Sequence, residues 1–215
     1  MIKTIIFDFD GVVADTMNDN FTSWQWALQQ HGYNSILRSD YFLLEGKDRF
    51  EIARAITGSN NYQTLSKIVE SKEFYYSGNF ECKLFPQMMD ILLCLKSKNL
   101  KIGLVTGASR TRITKALVGN KINDFFDCIV TADDTNEHKP SPVPYLTAIS
   151  MLNTIPNETI IIENAILGIE SAISSGAICF GITTTMPAHQ LEKANLIFNN
   201  HLEILIYFQN QFFQE

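Results

Sequence analysis

Ile2-Lys3-Thr4-Ile5-Ile6-Phe7-Asp8-Phe9-Asp10-Gly11-Val12-Val13-Ala14-Asp15-Thr16 is the stretch on which the fold turns. Its first half is an apolar, β-branched run of strand length, and it breaks at two aspartates followed by a glycine. Residues two apart in a strand point to the same side, so Asp8 and Asp10 are expected to converge just beyond the strand end, where Gly11 lets the backbone turn away. Two carboxylates so placed invite a cation. Mg²⁺ favours carboxylate and water oxygens and commonly completes its shell with substrate phosphate oxygens. With the repulsion screened, one carboxylate is free to attack phosphorus and the other to protonate the leaving oxygen. Aspartates also cap turns, which is the plainer reading of the same residues.

Further runs follow the same pattern outward: Ile102 to Thr106, Asp127 to Ala132, Thr159 to Ile162, Ala177 to Ile182 and Leu196 to Phe198. Segments of helical length precede four of them, at Leu84 to Asn99, Thr111 to Val118, Val143 to Leu152 and Leu167 to Ser175. Such alternation predicts a Rossmann-like α/β core, a parallel sheet with helices on both faces and its ligand loops at the C-terminal strand ends. Residues 15–80 break the rhythm. They carry helical spacing, as in Phe21, Trp24, Ala27, Leu28 and in Ile52, Ala55, Ile56, and are expected to form an α-helical cap inserted into a core of residues 1–14 and 81–215. Asp15 marks the hinge into the cap or caps its first helix. Trp24 belongs to the cap core and Trp26 is partly exposed. His201 to Phe213 has an amphipathic pattern whose aromatic end, Phe208, Phe212 and Phe213, suits a fraying tail or an oligomer contact.

Composition narrows the chemistry. The 215 residues carry 17 basic and 23 acidic side chains, a net charge of −6. That balance opposes sequence-independent binding to nucleic acid, so positive charge for any phosphate must be local. No apolar run approaches the roughly 18 residues of a membrane helix. Cys82, Cys94, Cys128 and Cys179 sit at unrelated spacings in apolar stretches, as small hydrophobes in a reducing compartment do. A cytoplasmic, monomeric protein with a small-molecule partner is the expectation.

The other strand ends supply what phosphate chemistry needs. Val105-Thr106-Gly107 offers a hydroxyl and a backbone N–H for phosphate oxygens. In His138-Lys139-Pro140-Ser141-Pro142 a lysine beside prolines provides a point charge, and Glu163-Asn164 places two more oxygen ligands at the same edge. In this order, from Phe7 to Thr16, Leu104 to Ala108, Lys139 to Tyr145 and Ile161 to Gly176, the chain resembles the haloacid dehalogenase superfamily of phosphohydrolases, in the branch of β-phosphoglucomutase and the small-molecule phosphatases with a helical cap. The resemblance spans almost the whole chain. It implies that Asp8 is the nucleophile that becomes an aspartyl phosphate and that Asp10 is the general acid and then base. It implies that Thr106 and Lys139 hold the phosphoryl group, and that Mg²⁺ is bound by Asp8, the Asp10 carbonyl and the Glu163-Asn164 segment. Asp10 then needs a proton at neutral pH, and burial or a neighbouring carboxylate is expected to raise its affinity for one.

Three departures carry weight. Many relatives have an aspartate where this chain has Asn164; Glu163 is one candidate for the compensating carboxylate, and Glu45, reaching the metal directly or through water when the cap closes, is the more telling one. A salt bridge from Glu45 to Lys47 or Arg49 is the alternative. Mutase members carry a lysine at Glu45 and a histidine at Asn20, and an amide cannot take up a proton as imidazole does. The chain therefore looks more like a phosphatase acting on a sugar phosphate, phosphoglycolate or pyrophosphate, with a sugar phosphomutase as the alternative. Glu45 disfavours an anionic leaving group unless metal neutralises it, and Arg49 is placed to grip the distal part of a substrate.

Overall fold

Ile5 and Phe7 of β1 (Thr4–Phe7) face one way and Ile6 the other, and all three are buried. A strand apolar on both faces needs cover on both. The computed structural model, which describes residues 1–212, provides it. Beside β1 lie β2 (Lys101–Val105), β3 (Cys128–Val130), β4 (Thr159–Glu163), β5 (Ile178–Ile182) and β6 (Leu196–Phe198), in one sheet of order β3-β2-β1-β4-β5-β6. Every pairing is parallel, with Ile5 opposite both Ile102 and Ile160. The order reverses beside β1, and that switch point puts the ends of β1, β2 and β4 around one crevice.

Insertion of four helices separates β1 from the rest: α1 (Met17–Gln30), α2 (Arg38–Phe42), α3 (Arg49–Thr57) and α4 (Tyr62–Asn79). The chain then forms α5 (Met88–Ser97), α6 (Arg110–Gly119), α7 (Val143–Met151), α8 (Ile166–Ser174) and α9 (His201–Phe212). Met88, Ile91, Ile113, Leu117, Ile204 and Phe208 bring α5, α6 and α9 onto the Ile5 and Phe7 face. On the Ile6 face Tyr145, Ala148, Ile169 and Ala172 bring α7 and α8, and this second core continues into the insert through Trp24, Tyr41, Leu65 and Ile68. Two linkers join insert and core side by side: Ala14 bridges Leu84, the Asp15 amide donates to the Lys83 carbonyl at 2.9 Å, and the Phe85 amide donates to the Val13 carbonyl at 3.2 Å.

Several details differ from expectation for local reasons. The helix expected from Leu84 starts at Met88, because Leu84 pairs with Ala14 and Gln87 takes a left-handed backbone. In α3 it is Ala53 that joins Ile52 in the core, whereas Ala55 is exposed. Asp15 is exposed and lies in the linker, and Thr16 occupies the N-cap position of α1. Phe208 is wholly buried in the core rather than part of a tail; Phe213 lies outside the described residues. Trp24 is buried and Trp26 half-buried, stacked on Tyr75 at 4.6 Å. No helix among the described residues is long and apolar enough to cross a membrane.

Candidate active site

Parallel strands deliver their C-terminal ends to one edge, and four sequence-predicted groups meet there. Asp8 follows β1, its amide extending the ladder by donating to the Ile162 carbonyl at 3.0 Å. Thr106 follows β2 with its amide on the Val130 carbonyl at 3.0 Å. Lys139 lies in the loop after β3, and Glu163 closes β4. All four are buried.

Lys139 binds two carboxylates at once. Its Nζ donates to Asp8 Oδ1 and to Glu163 Oε1, both at 2.6 Å, and Tyr145 Oη donates to the same Glu163 oxygen at 2.5 Å. Burial alone would loosen the lysine's proton, but Asp8 and Glu163 hold it on and raise its pKa above the ordinary value. Burial pushes Asp8 up; Lys139 pulls it back and the charges on Glu163 and Asp10 push it up again, to about 7. The remaining Glu163 oxygen accepts from the backbone amides of Asn164 and Ala165 at 3.0 and 3.4 Å. Both oxygens of Glu163 thus accept hydrogen bonds in this arrangement, where the residue expected among the metal ligands holds Lys139. Gly168 permits this close packing, since a Cβ there would lie 2.0 Å from Glu163 Oε1.

Asn164 is wholly buried, and its Nδ2 donates to Thr185 Oγ1 at 2.7 Å. Its Oδ1 has no hydrogen-bond partner among the described residues. A buried amide oxygen without a donor costs on the order of 1–3 kcal/mol, so a partner that the protein does not itself supply is expected there. A hard cation fits that oxygen together with the Asp8 carboxylate and the Asp10 carbonyl. Gly11, at φ +84°, lets the β1 loop pass over this amide, because a Cβ would fall 2.1 Å from Asn164 Nδ2.

Asp10 turns to different partners. Its Oδ1 accepts from Thr16 Oγ1, from Asn20 Nδ2 at 3.1 Å and from Arg112 Nη2, while its Oδ2 accepts from Arg112 Nη1 at 3.1 Å. Asn20 Oδ1 in turn accepts from the buried Lys72 Nζ at 2.8 Å, and Lys72 pairs with Glu73 at 2.9 Å. This corrects the expected proton affinity of Asp10. Burial does push its pKa up, but the Arg112 charge and the hydrogen bonds from Arg112 and Thr16 outweigh burial and leave it below the ordinary carboxylate value.

Insert residues close the site from above. Asp10, Asn20, Trp24, Glu45, Arg49 and Lys72 join Asp8, Thr106 and Gly107 around a cavity of about 40 Å³. The Lys47 carbonyl lies so near Gly107 that a Cβ on that glycine would come within 2.8 Å of it. Arg49 Nη2 donates to Asp133 Oδ1 at 2.9 Å across the insert–core boundary. Glu45 makes no ion pair with Lys47 or Arg49; burial, then the charges on Asp10 and Asp8, holds its carboxyl well above the usual range. No group of three or more His, Cys, Asp or Glu side chains suited to a metal forms among the described residues, so Glu45 does not join Asp8 in such a cluster in this arrangement.

Residues 5–182 match the family described as Haloacid dehalogenase-like hydrolase. The chain belongs to that family. It is 28% identical over 216 residues to the validoxylamine A 7'-phosphate phosphatase of Streptomyces hygroscopicus subsp. limoneus, covering 95% of this chain and 96% of that one. It is 30% identical over 196 residues to the β-phosphoglucomutase of Bacillus subtilis (strain 168), covering 86% and 85%. Among solved structures, the β-phosphoglucomutase of Clostridium difficile superposes with a TM-score of 0.86 at 29% identity, covering 99% of this chain and 97% of that one.

Within this haloacid dehalogenase-like site, sequence reasoning missed Thr16, Lys72, Arg112, Tyr145 and Thr185. Tyr145 lay inside a quoted segment, and its spacing from Lys139 places it in the first turn of α7. Arg112 had only the signal of a cation in the first turn of a helix, where the macrodipole disfavours one and a nearby carboxylate is therefore to be sought. Lys72 on α4 and Thr185 after β5 gave no such signal.

Proposed function

We propose that this chain is a Mg²⁺-dependent phosphatase that transfers the phosphoryl group of a small metabolite to Asp8 and then to water. The observation that carries this reading is the convergence of Asp8, the doubly paired Lys139 and the unpartnered Asn164 Oδ1 at one buried edge. Family membership and the phosphatase among its relatives support the reaction class. Phosphoryl transfer is chiefly a matter of positioning and charge, and the residues divide that work.

In this reading Asp8 offers the attacking oxygen, and Lys139, held by Glu163 and Tyr145, stabilises charge on the transferring group. Thr106 and the Gly107 amide bind its remaining oxygens. Asp10 carries the proton to the leaving oxygen and later takes one from water. Asp8, the Asp10 carbonyl and Asn164 Oδ1 would hold Mg²⁺, which neutralises phosphoryl and carboxylate charge when bound. The insert, residues 15–80, acts as a cap that excludes water and selects the leaving group. A sugar phosphate or a related phosphorylated polyol suits a site walled by Glu45, Asn20 and Trp24 once the insert has opened it. The protein acts in the cytoplasm, in keeping with its four free cysteines, and as a monomer.

Phosphate release from sugar phosphates, phosphoglycolate, nucleotides and pyrophosphate, with Mg²⁺ or a chelator, tests this. Metal-dependent release that Asp8→Asn abolishes is the expected result. The identity to β-phosphoglucomutase favours a second reading, a sugar phosphomutase. Conversion of a sugar 1-phosphate to its isomer without net phosphate release would establish it instead.

A further inference from the structure

We propose that Arg112 is the positioning residue that keeps the Asp10 carboxylate aligned after the insert lifts from the core, so that water can attack the phosphoenzyme. The inference rests on the Asp8 phosphoenzyme reading.

A cavity of about 40 Å³ has no room for a metabolite larger than a phosphoryl group, so the insert must move for substrate to enter and for the leaving group to depart. The paired linkers at Ala14–Leu84 and Asp15–Lys83 provide a narrow hinge for that motion. Of the three side chains that donate to Asp10 among the described residues, Thr16 and Asn20 lie on the insert side of this hinge. Arg112 lies on the core helix α6 and reaches Asp10 with both terminal nitrogens, in a pair whose side chains are 11% and 10% exposed. When the insert swings, Thr16 and Asn20 travel with it, and the planar two-point grip of Arg112 is what remains. Lysine could supply the charge but not the fork.

Oxygen occupancy identifies the working atom. Oδ1 of Asp10 already accepts from three donors, whereas Oδ2 accepts one, from Arg112 Nη1. Oδ2 therefore keeps a lone pair for a proton. In the second half-reaction a water oxygen bonds to phosphorus and the bond from phosphorus to Asp8 breaks, returning its electron pair to the Asp8 carboxylate. The water's proton passes to Asp10 Oδ2. The products are inorganic phosphate and a protonated Asp10, which then passes the proton on. Arg112 also borders a cleft of about 1070 Å³ between α4 and α6, with Tyr76 of the insert stacked over the guanidinium at 4.6 Å.

Rapid-quench kinetics on the intact enzyme with Mg²⁺ separate the two steps, leaving-group release reporting phosphoenzyme formation and phosphate release its hydrolysis. For Arg112→Ala, formation should stay within about threefold of wild type while hydrolysis slows by roughly tenfold or more, a part of the roughly hundredfold or greater contribution of a positioned general base, since Asp10 itself remains. Phosphoenzyme should accumulate accordingly. Arg112→Lys should recover only part of the hydrolysis rate. Both constants come from one sample and are normalised to the burst, so a lower folded fraction leaves their ratio unaltered. Equal slowing of both steps, or slowing of neither, overturns the role of Arg112. Absence of any phosphoenzyme in the wild type would instead remove the Asp8 reading, and this inference with it.

Discussion

Glu45 sits on the cavity wall with Asp10 and Asp8 as its strongest electrostatic neighbours, and it makes no ion pair with Lys47 or Arg49. If it reaches a bound metal through water as the insert shifts, Glu45→Gln raises the Mg²⁺ concentration for half-maximal phosphate release by roughly tenfold, the usual scale for an outer-shell partner. An unchanged requirement removes Glu45 from the metal site. His201 makes a different, structural prediction. Its Nε2 donates to the Val12 carbonyl at 2.6 Å, its ring stacks on Phe85, and burial holds its pKa below the ordinary 6.5 despite that hydrogen bond. Above 6.5 both folded and unfolded imidazoles are neutral; as pH falls through that value the unfolded chain takes a proton that the folded chain resists, so stability declines toward acid. His201→Gln should melt lower near neutral pH yet lose less on going from about pH 7 to pH 5. Parallel melting curves for the two proteins would contradict this.

At the scale of elements, Gly168 in the first turn of α8 shows how closely helix and site are joined. Gly168→Ala drives a methyl into a carboxylate fixed by Lys139, Tyr145 and two amides. Overpacking of this kind costs about 1–3 kcal/mol, and the displaced Glu163 should carry Lys139 with it. Melting and phosphate release are therefore expected to fall together, and wild-type values of both would refute the packing argument. The strands were legible in the sequence because β-branched runs such as Thr4-Ile5-Ile6-Phe7 and Thr159-Ile160-Ile161-Ile162 are buried on both faces, and residues at their ends mark the site. Asp8, Thr106 and Lys139 could be placed for that reason. Arg112, Lys72 and Thr185 could not, since their roles depend on tertiary contacts 102, 52 and 21 residues apart in sequence. The lowered pKa of Asp10 was illegible for the same cause: local sequence predicts burial but not the arginine that offsets it.

Across the whole molecule, the insert shares an apolar core with the sheet and closes its rim on it through the Lys47 carbonyl over Gly107, Arg49 on Asp133, and Asp48 facing His138 at 3.5 Å. The Arg49–Asp133 ion pair is partly exposed and contributes at most about 1 kcal/mol, so the close backbone approach at Gly107 matters more to the fit of the rim. Gly107→Ala should push the Lys47 loop outward and raise KM several-fold, with a melting temperature within roughly 2 °C of wild type because a clash confined to one loop at the rim leaves the core intact. An unaltered KM would show that the loop closes without this contact. The central claim is that Asp8 carries the phosphoryl group, and borohydride reduction of the acid-quenched enzyme during turnover tests it most directly. An acyl phosphate on Asp8 is predicted to appear as homoserine at that position in the wild type and to be absent in Asp8→Asn. Steady phosphate release with no modified Asp8, or release that persists in Asp8→Asn, would contradict the account.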